Sequence, residues 1–523
     1  QWGPVGIVTT VDTENNLVER FGKPNDTTFA SFFTAANFLA YGNNLQVIRV
    51  VNEGTAKNAK SNTSATAVLV KNEEHYNATY ADGSATVGEW AAKFPGTLGN
   101  SLKVSMCDGN TYASWAYSTN FDSSPSTSSY AQNVGGSHDE LHVAVIDEDG
   151  LWTGTQGTIL EKFQFVSKAS DAKNNDGTSS YYKNVINNTS KYIWWMDHPS
   201  AGANWGSTAT VAFDQLVSNV TSSLTGGVSA DSPSDGNLIS AYGIFANDEL
   251  YDVSLIPVGP ASATVGEYVI QNVAEVRKDC IAFVSPGLTS VTNNAGSEAE
   301  DVVNDRDSYT SSSYGVMDSG WKYQYDRYND VYRYIPLNGD TAGLVVRTDF
   351  VADPWFSPAG FNRGQVKGVV KLPYSPSKTD RDTLYKVGIN PVVTFPGQGT
   401  VLYGDKTLLS KPSAFDRINV RRLFIVLEKA IATAAKFSLF EFNDAFTRAQ
   451  FRNLVEPFLR DVQGRRGITD FKVVCDETNN TGEVIDRNEF VADIYVKPAR
   501  SINFIQLNFI ATKTGIAFEE VGA

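Results

Sequence analysis

A chain of 523 residues is too long for one hydrophobic core, so two to four domains are expected. Its 41% hydrophobic and 19% charged residues are typical of a folded protein, and its formal net charge of −15 argues against a general nucleic-acid binder. Three widely spaced cysteines exclude a disulfide framework, and no CxxC pair suggests zinc. No apolar run is long enough to span a bilayer, so no membrane insertion is expected.

The first fifty residues predict a small β-α-β unit. A strand is expected at 5–11, a helix at 27–40 and a second strand at 44–51. The chain begins at Gln1 in the middle of this pattern, so further residues are expected upstream. Segment 52–65 is rich in Asn, Thr, Ala and Lys, and this composition predicts a linker.

Polar loops alternate with short apolar elements in the next part of the chain. Segments 108–137 and 170–188 are dominated by small polar residues and are predicted to be loops, the first of them exposed or a hairpin. Between them, the apolar run at 141–147 predicts a strand, and a short helix is expected around 160–165.

Two apolar strands, at 253–258 and 280–284, flank a predicted helix over 266–278, and this order favours a parallel or mixed sheet. Cys280 follows charged residues that could activate a thiol, but its place in an apolar strand favours a buried structural cysteine. The tyrosine-dense stretch 321–334 has the composition of a carbohydrate platform, although packing on a neighbouring domain or subunit is favoured.

The C-terminal hundred residues carry the strongest periodicity. Apolar residues at helical spacing predict a long helix over 419–436 and a second over 448–462, where Pro457 is expected to kink or divide it. Thr447 with Gln450 has the form of a capping box at the start of the second helix. The period then changes to two, and strands are predicted at 470–475, 489–497 and 501–511.

The final segment, 515–521, reads as one more strand, with no obvious partner left in its own chain. Backbone donors and acceptors of a strand need pairing. The segment is therefore expected either to join the preceding sheet or to add to the sheet of a neighbouring molecule. This is the first indication of assembly.

No constellation with catalytic or metal-binding character is found. His138 and His142 lie four residues apart, but in a strand this spacing separates them by about 13 Å, too far for one ion, so solvated histidines are favoured. No nucleophile with an adjacent base, no acid–base pair and no phosphate loop is present. We therefore expect neither enzymatic activity nor a cofactor.

Several short motifs follow one another along nearly the whole chain: Trp2-Gly3-Pro4, Phe21-Gly22-Lys23-Pro24, Phe94-Pro95-Gly96, Asp147-Glu148-Asp149-Gly150, Leu224-Thr225-Gly226-Gly227, Asp353-Pro354-Trp355-Phe356-Ser357-Pro358, Asn390-Pro391-Val392 and Gly404-Asp405-Lys406-Thr407. In this order they resemble the tail sheath protein of contractile-tailed bacteriophages of the T4-like myovirus type. The order is the specific signal, since no single motif is decisive.

The resemblance implies an α+β multidomain structural protein. Its inner α/β domain would be discontinuous and built from both chain ends, 1–51 and 361–511, with a middle α/β domain at 92–360 inserted between them. Residues 52–91 would form a linker or reduced outer insertion, and 512–523 a C-terminal linking arm. The family's N-terminal arm has no counterpart in this sequence.

The resemblance also implies a function. Subunits would polymerise as stacked hexameric rings or a helical sheath around an inner tail tube, with baseplate and tail terminator proteins as further partners and without direct contact to nucleic acid. Contraction would drive the tube through the host envelope for genome delivery. The protein would assemble in the host cytoplasm and reside in the tail of the virion.

By the same resemblance, the terminal arm exchanges strands between subunits. The exchanged residues would be Ile516, Ala517, Phe518, Glu519, Glu520 and Val521. The receiving strands would present Phe490, Ala492, Ile494, Val496, Ile505, Leu507 and Phe509. The charged residues of the long helix that are candidates for contact with the tube are Arg421, Arg422, Glu428 and Lys429. The alternative from another class is a monomeric surface adhesin that binds glycans through 321–334.

Overall fold

A computed structural model describes residues 1–62, 67–84, 86–199 and 204–501. Within these ranges, no helix is both long and apolar enough to cross a membrane. Four successive parts of the chain build the fold, and each is organised around its own secondary structure. They are an N-terminal segment, an antiparallel-sheet unit, a parallel-sheet unit and a C-terminal helix–hairpin unit.

The N-terminal segment is a pair of antiparallel strands with two helices between them. Its elements are β1 (Val8–Val11), α1 (Glu14–Phe21), α2 (Phe29–Leu39) and β2 (Leu45–Ile48). Val8 lies opposite Ile48, and Thr13 caps α1 by accepting a hydrogen bond from the Asn16 amide at 3.2 Å. The predicted strands and second helix are present, and the first helix was not predicted.

The antiparallel-sheet unit follows. Its elements are α3 (Glu73–Thr79), β3 (Trp90–Ala92), β4 (Leu102–Asp108), α4 (Ser129–Asn133), β5 (Glu140–Asp147), β6 (Thr158–Ser167), α5 (Tyr182–Thr189), β7 (Ile193–Trp195) and β8 (Val220–Ser223). The main sheet has the order β6-β5-β4-β8, and β3 pairs with β7 beside it. Alternate residues of β4 and β5 point into one core, which is closed by tryptophan and tyrosine rings.

Four predictions for this unit were wrong. The helix expected around 160–165 is part of β6, which pairs with β5 in an irregular register; Phe163, for example, lies opposite Val143. The segment 108–137 is not an exposed loop, since it buries Trp115 and Phe121. The loop expected at 170–188 ends in the helix α5. The described part of the expected linker at 52–65 forms backbone pairs with β3 and with residues near 228.

His142 is buried rather than solvated. Its Nε2 lies 2.8 Å from the Ser123 carbonyl oxygen, its Nδ1 accepts a hydrogen bond from the Phe165 amide at 3.0 Å, and its ring stacks on Phe121. Both ring nitrogens are therefore occupied by protein groups. The part of the chain that the structure describes contains no cluster of His, Cys, Asp or Glu suited to a metal ion.

The parallel-sheet unit spans the middle of the chain. Its elements are α6 (Asp235–Ile244), β9 (Leu255–Pro257), α7 (Ala263–Tyr268), a π-helical turn (Val269–Ala274), α8 (Glu275–Arg277), β10 (Ile281–Val284), α9 (Glu298–Arg306), β11 (Gly315–Asp318), β12 (Trp321–Asp326), β13 (Val331–Pro336), α10 (Asn338–Val351), α11 (Lys378–Lys386), β14 (Ile389–Asn390), β15 (Val392–Phe395) and β16 (Gly399–Leu402). The parallel sheet has the order β14-β11-β10-β9, which confirms the predicted parallel pairing of β9 and β10.

Two further predictions in this unit are confirmed. Cys280 is fully buried at the start of β10, and burial raises the pKa of its thiol to about 12. The tyrosine-dense stretch forms the hairpin β12–β13, which packs on a neighbouring part of the chain: the ring of Tyr328 meets Phe32 edge-on at 5.5 Å. Trp321 is buried and donates from Nε1 to the Pro286 carbonyl at 2.7 Å.

The C-terminal unit consists of two long helices and a hairpin. Its elements are α12 (Ile418–Ala435), α13 (Ala445–Gly464), β17 (Ile468–Val474), α14 (Gly482–Asp486) and β18 (Asp493–Pro498). Both predicted helices are confirmed, but α13 continues through Pro457 instead of dividing there. It also begins before the predicted cap at Thr447, because Asp444 accepts a hydrogen bond from the Thr447 amide at 2.8 Å.

Cores and contacts connect parts of the chain that are distant in sequence. The antiparallel-sheet unit and the parallel-sheet unit each bury a core of their own. Strand β14 lies beyond residue 361 yet pairs with β11. Helix α2 packs on α10 and β13 of the parallel-sheet unit. Phe38, at the end of α2, also shares a small core with Ile418 and Ile425 of α12, so the N-terminal segment reaches the start of the C-terminal unit.

A buried ion pair lies where the N-terminal segment meets the parallel-sheet unit. Lys322 donates from Nζ to Asp340 and to the Lys367 carbonyl, at 2.9 and 2.8 Å. Tyr41 donates to the same carboxylate at 3.2 Å and accepts a hydrogen bond from the Lys367 amide at 2.7 Å. Both charged side chains are 1% exposed. The network joins α2, β12, α10 and the segment after α10.

We predict that Lys322→Met lowers the free energy of unfolding by about 3–5 kcal/mol, because it leaves the Asp340 carboxylate buried without its counter-charge. Urea unfolding followed by far-UV circular dichroism measures the change. The double variant Lys322→Met/Asp340→Asn is the control and should recover most of the lost stability. Equal stability of the single variant and the wild type would contradict the assignment of this pair.

A second buried carboxyl predicts pH dependence. Burial raises the pKa of Asp318 from 3.8 to about 8, against hydrogen bonds from Ser285 and the Gly320 amide. The folded protein therefore keeps a proton that the unfolded chain loses, so this group destabilises the fold as pH rises from about 4 through about 8. Asp318→Asn should raise the melting temperature relative to wild type more at pH 9 than at pH 5.

The matched control for this measurement is Asp307→Asn, which changes an exposed carboxylate and should shift the melting temperature equally at both pH values. Differential scanning fluorimetry at pH 5, 7 and 9 gives the comparison. A difference between Asp318→Asn and wild type that stays constant across this range would contradict a raised pKa at Asp318.

Candidate subunit interface

The C-terminal unit presents a one-sided sheet. Apolar residues of α12, α13 and β17 form its core around Trp355, whose Nε1 donates to the Arg465 carbonyl at 3.0 Å. Four side chains of the predicted receiving strand lie half-buried against this core: Phe490, Ala492, Ile494 and Val496. Phe490 and Ala492 precede β18. Within the strand, Tyr495 and Lys497 alternate with Ile494 and Val496 and are exposed. Over these four residues the structure has the two-residue period that the sequence predicts for a strand packed on one face.

Strand β18 has one edge engaged. It pairs antiparallel with β17, so that Val473 lies opposite Ile494 and Phe471 opposite Val496. Up to residue 501, no other strand of the described chain pairs with β18. A strand edge with unpaired N–H and C=O groups is a template for adding another strand. The remaining predicted receiving residues, Ile505, Leu507 and Phe509, and the whole predicted arm, 516–521, lie outside the described residues.

Two of the four candidates for tube contact are interior. Arg421 is 7% exposed, donates to the Ser313 hydroxyl at 2.7 Å and stacks over Phe415, whose ring centroid is 4.0 Å away. Arg422 is 4% exposed and forms an ion pair with Asp349. Burial lowers the pKa of both guanidinium groups. Partners distant in sequence therefore enclose both arginines in this structure, which leaves little of either side chain exposed to a partner.

The other two candidates lie nearer to solvent. Glu428 is exposed, and the Lys429 side chain is 36% exposed, paired with Asp252 and, at 3.6 Å, with Asp279. Through these two ion pairs Lys429 still contacts the parallel-sheet unit. Any surface contact of this helix is therefore made by its second half.

One surface feature was missed at the level of sequence. Five large apolar side chains that follow α12 are mostly exposed: Phe437, Leu439, Phe440, Phe442 and Phe446. The first four lie between the two periodic helices, and Phe446 lies in the first turn of α13. They follow no period of their own, so the sequence pattern predicted no role for them. The signal that could have identified this surface is a cluster of aromatic residues at the point where the helical spacing of apolar residues is interrupted.

Among the described residues, an unpaired strand edge and exposed apolar side chains lie on the same unit, and the class of protein they indicate is one that associates with other polypeptides. Comparison with known proteins identifies the family. Residues 251–408 match the family model of the phage tail sheath protein central domain, and 410–512 match that of the phage tail sheath C-terminal domain.

Full-length relatives agree with these matches. The tail sheath protein of Vibrio phage KVP40 is 35% identical over all of this chain and 95% of its own length. The tail sheath protein of Enterobacteria phage T4 is 34% identical over all of this chain and 94% of its own length. The chain therefore belongs to the phage tail sheath proteins. The resemblance seen in the sequence is confirmed, and the alternative of a glycan-binding adhesin is set aside.

Solved structures share the mixed α/β fold. A sheath tail protein from Listeria innocua superposes with a TM-score of 0.56 at 12% identity, covering 95% of this chain and 93% of that one. A sheath tail protein from Desulfitobacterium hafniense gives a TM-score of 0.50 at 12% identity, with coverages of 91% and 88%. At this identity the likeness concerns the fold alone.

The burial of Arg421 gives a test that separates an interior role from a surface role. Arg421→Ala should lower the free energy of unfolding by about 2–4 kcal/mol through lost packing and hydrogen bonds. Lys429→Ala, on the same helix, is the matched control and should change it by less than about 1 kcal/mol. Urea unfolding of both variants measures the two changes in the free energy of unfolding. Equal changes would contradict an interior role of Arg421.

Proposed function

We propose that this chain is the subunit of a contractile tail sheath that polymerises around an inner tail tube. The observation that carries this proposal is the full-length similarity to tail sheath proteins, at 34–35% identity. In this role the protein is structural and not an enzyme, and it uses no cofactor. It resides in the tail of the virion after assembly in the host cytoplasm, with the tube, baseplate and terminator proteins as partners.

Contraction in this proposal is a change between two packings of the same subunits. In this proposal the well-packed cores of each subunit move as rigid bodies. The two packings differ in free energy by a few kcal/mol per subunit, and this difference, summed over many copies, supplies the mechanical work. The second half of α12, with Glu428 and Lys429, remains the candidate for tube contact. Arg421 and Arg422 no longer belong to that set.

Strand exchange supplies the linkage between subunits in this proposal. The predicted strand 501–511 begins three residues after Pro498, the last residue of β18, and would extend the hairpin sheet. Residues 516–521 of one copy would then add to the edge of that sheet in another copy. The open edge of β18 in the described chain and the half-buried row from Phe490 to Val496 support a growing sheet at this place.

Negative-stain electron microscopy of the purified chain at rising concentration tests assembly directly. Tubes or stacked rings are expected, because the sheath is a homopolymer in this proposal. The same series is repeated with the inner tube protein as template. A chain that stays monomeric in both series contradicts the proposed function.

Deletion of 515–523 tests the arm. The truncated chain should remain a folded monomer with an unchanged far-UV spectrum and should form no tubes, because the added strand is lost. Lys513→Gln, in the segment that leads to the arm, is the control and should assemble like wild type. Electron microscopy and sedimentation velocity detect the tubes. Normal tubes from the truncated chain would contradict the proposed role of 515–523 in linking subunits.

A further inference from the structure

The connection from α12 into the first turn of α13 exposes five apolar side chains. The exposed fractions of Phe437, Leu439, Phe440, Phe442 and Phe446 are 85, 63, 105, 84 and 75%. Four phenylalanines at this exposure offer on the order of 700 Å² of apolar surface. That exceeds the roughly 300–600 Å² of the largest patch on a typical monomer and approaches the roughly 800 Å² that each partner contributes to a standard interface. We call these five residues the phenylalanine patch.

The loop that carries the patch is held in place by hydrogen bonds. Asn443 donates from its amide nitrogen to the Glu489 carbonyl at 2.8 Å and to Asn480 at 3.1 Å. Arg448, itself buried, donates to the Asn443 amide oxygen at 2.8 Å. Asp444 then caps α13. The phenylalanine patch is therefore presented from a fixed base at the β17–β18 hairpin, not from a free tether.

Backbone strain accompanies the exposure. Phe440 has a φ of +68°, in the left-handed region that bulky residues avoid. Its side chain is fully exposed, so within the described chain this conformation gains no burial. Strained residues persist where the surrounding structure holds them for a function. The strain and the exposure at one residue point to a contact that forms only on association.

We propose that the phenylalanine patch packs against a second copy of this chain in the assembled sheath. This inference rests on the proposed function, in which copies lie side by side. The patch is continuous with the proposed strand-exchange site, since Asn443 binds the Glu489 carbonyl just before the receiving row. A neighbour whose arm adds to that sheet is therefore brought next to the patch.

The charge of the chain opposes association between copies. Each copy carries a formal charge of −15, so neighbouring copies repel one another at long range. This repulsion is screened beyond about 8 Å at physiological ionic strength, whereas apolar burial acts at contact. Residues 437–446 contain two carboxylates, and that of Asp444 is bound in its cap. The patch is therefore low in charge and suited to a contact between like-charged copies.

The test compares two full-length variants that each put one glutamate in place of an exposed apolar residue. Phe440→Glu lies in the patch, and Val217→Glu, at a position 87% exposed in the antiparallel-sheet unit, is the matched control. Far-UV circular dichroism and the melting temperature verify that both fold as wild type. Phe442→Ser serves as the second patch variant should Phe440→Glu lower the melting temperature.

Sedimentation velocity over a concentration series gives the concentration at half-assembly. Phe440→Glu should raise it at least tenfold, and Val217→Glu should leave it within twofold of wild type. Added salt should lower it for wild type by screening the like charges. Patch variants that assemble as well as Val217→Glu would overturn this proposal while leaving the proposed function intact.

Two other outcomes are informative against the proposal. A wild-type chain that never assembles overturns the proposed function and this inference together. Patch variants that polymerise normally but no longer retain the inner tube protein in co-sedimentation would assign the patch to the tube and overturn the contact between copies.

Discussion

The buried pair of Lys322 and Asp340 is the constraint on which the arrangement of the chain depends. A charged lysine and a carboxylate, both 1% exposed, are tolerated in the interior only because each satisfies the other. The pair brings β12 and α10 together, and Tyr41 extends it to the N-terminal segment. Because the same groups bind the Lys367 backbone, four segments distant in sequence are joined at one point. The parallel sheet and the helices around it are thereby held as one base.

On that base, α12 connects the parallel-sheet unit to the outer surface of the molecule. Its first half is buried, with Ile418 and Ile425 against the sheet and Leu423 and Leu427 in the C-terminal core. Beyond this helix lie the features suited to association, namely the β18 edge and the phenylalanine patch. A well-packed body whose described residues include an unpaired strand edge and an exposed apolar loop is suited to a polymer whose subunits rearrange without separating.

Sequence reasoning succeeded where a local pattern determined the structure. The wide apolar stripe of α12, the alternation in β18 and the apolar strands around Cys280 were all predicted, because burial of one face imposes a period on the sequence. The short segment 160–165 was assigned to a helix, since its period is ambiguous and pairing with β5 decides it. The family could be predicted because an ordered set of motifs spans the chain.

The site was harder to predict, since exposure depends on distant residues. Arg421 and Arg422 have the position of surface charges on a helix, yet Ser313 and Asp349, more than 70 positions away, enclose them. The phenylalanines at 437–446 have the composition of a core, yet no described element covers them. In both cases the environment of a side chain is set by tertiary packing that a local pattern does not encode.

A near-atomic electron cryomicroscopy reconstruction of the polymer formed by this chain would show the contacts between copies directly. We expect residues 516–521 of one copy to form a strand at the edge of the β17–β18 sheet of another copy, next to the loop at 437–446. A polymer in which 516–521 pair only within their own chain, or in which this sheet edge faces no other copy, would contradict it.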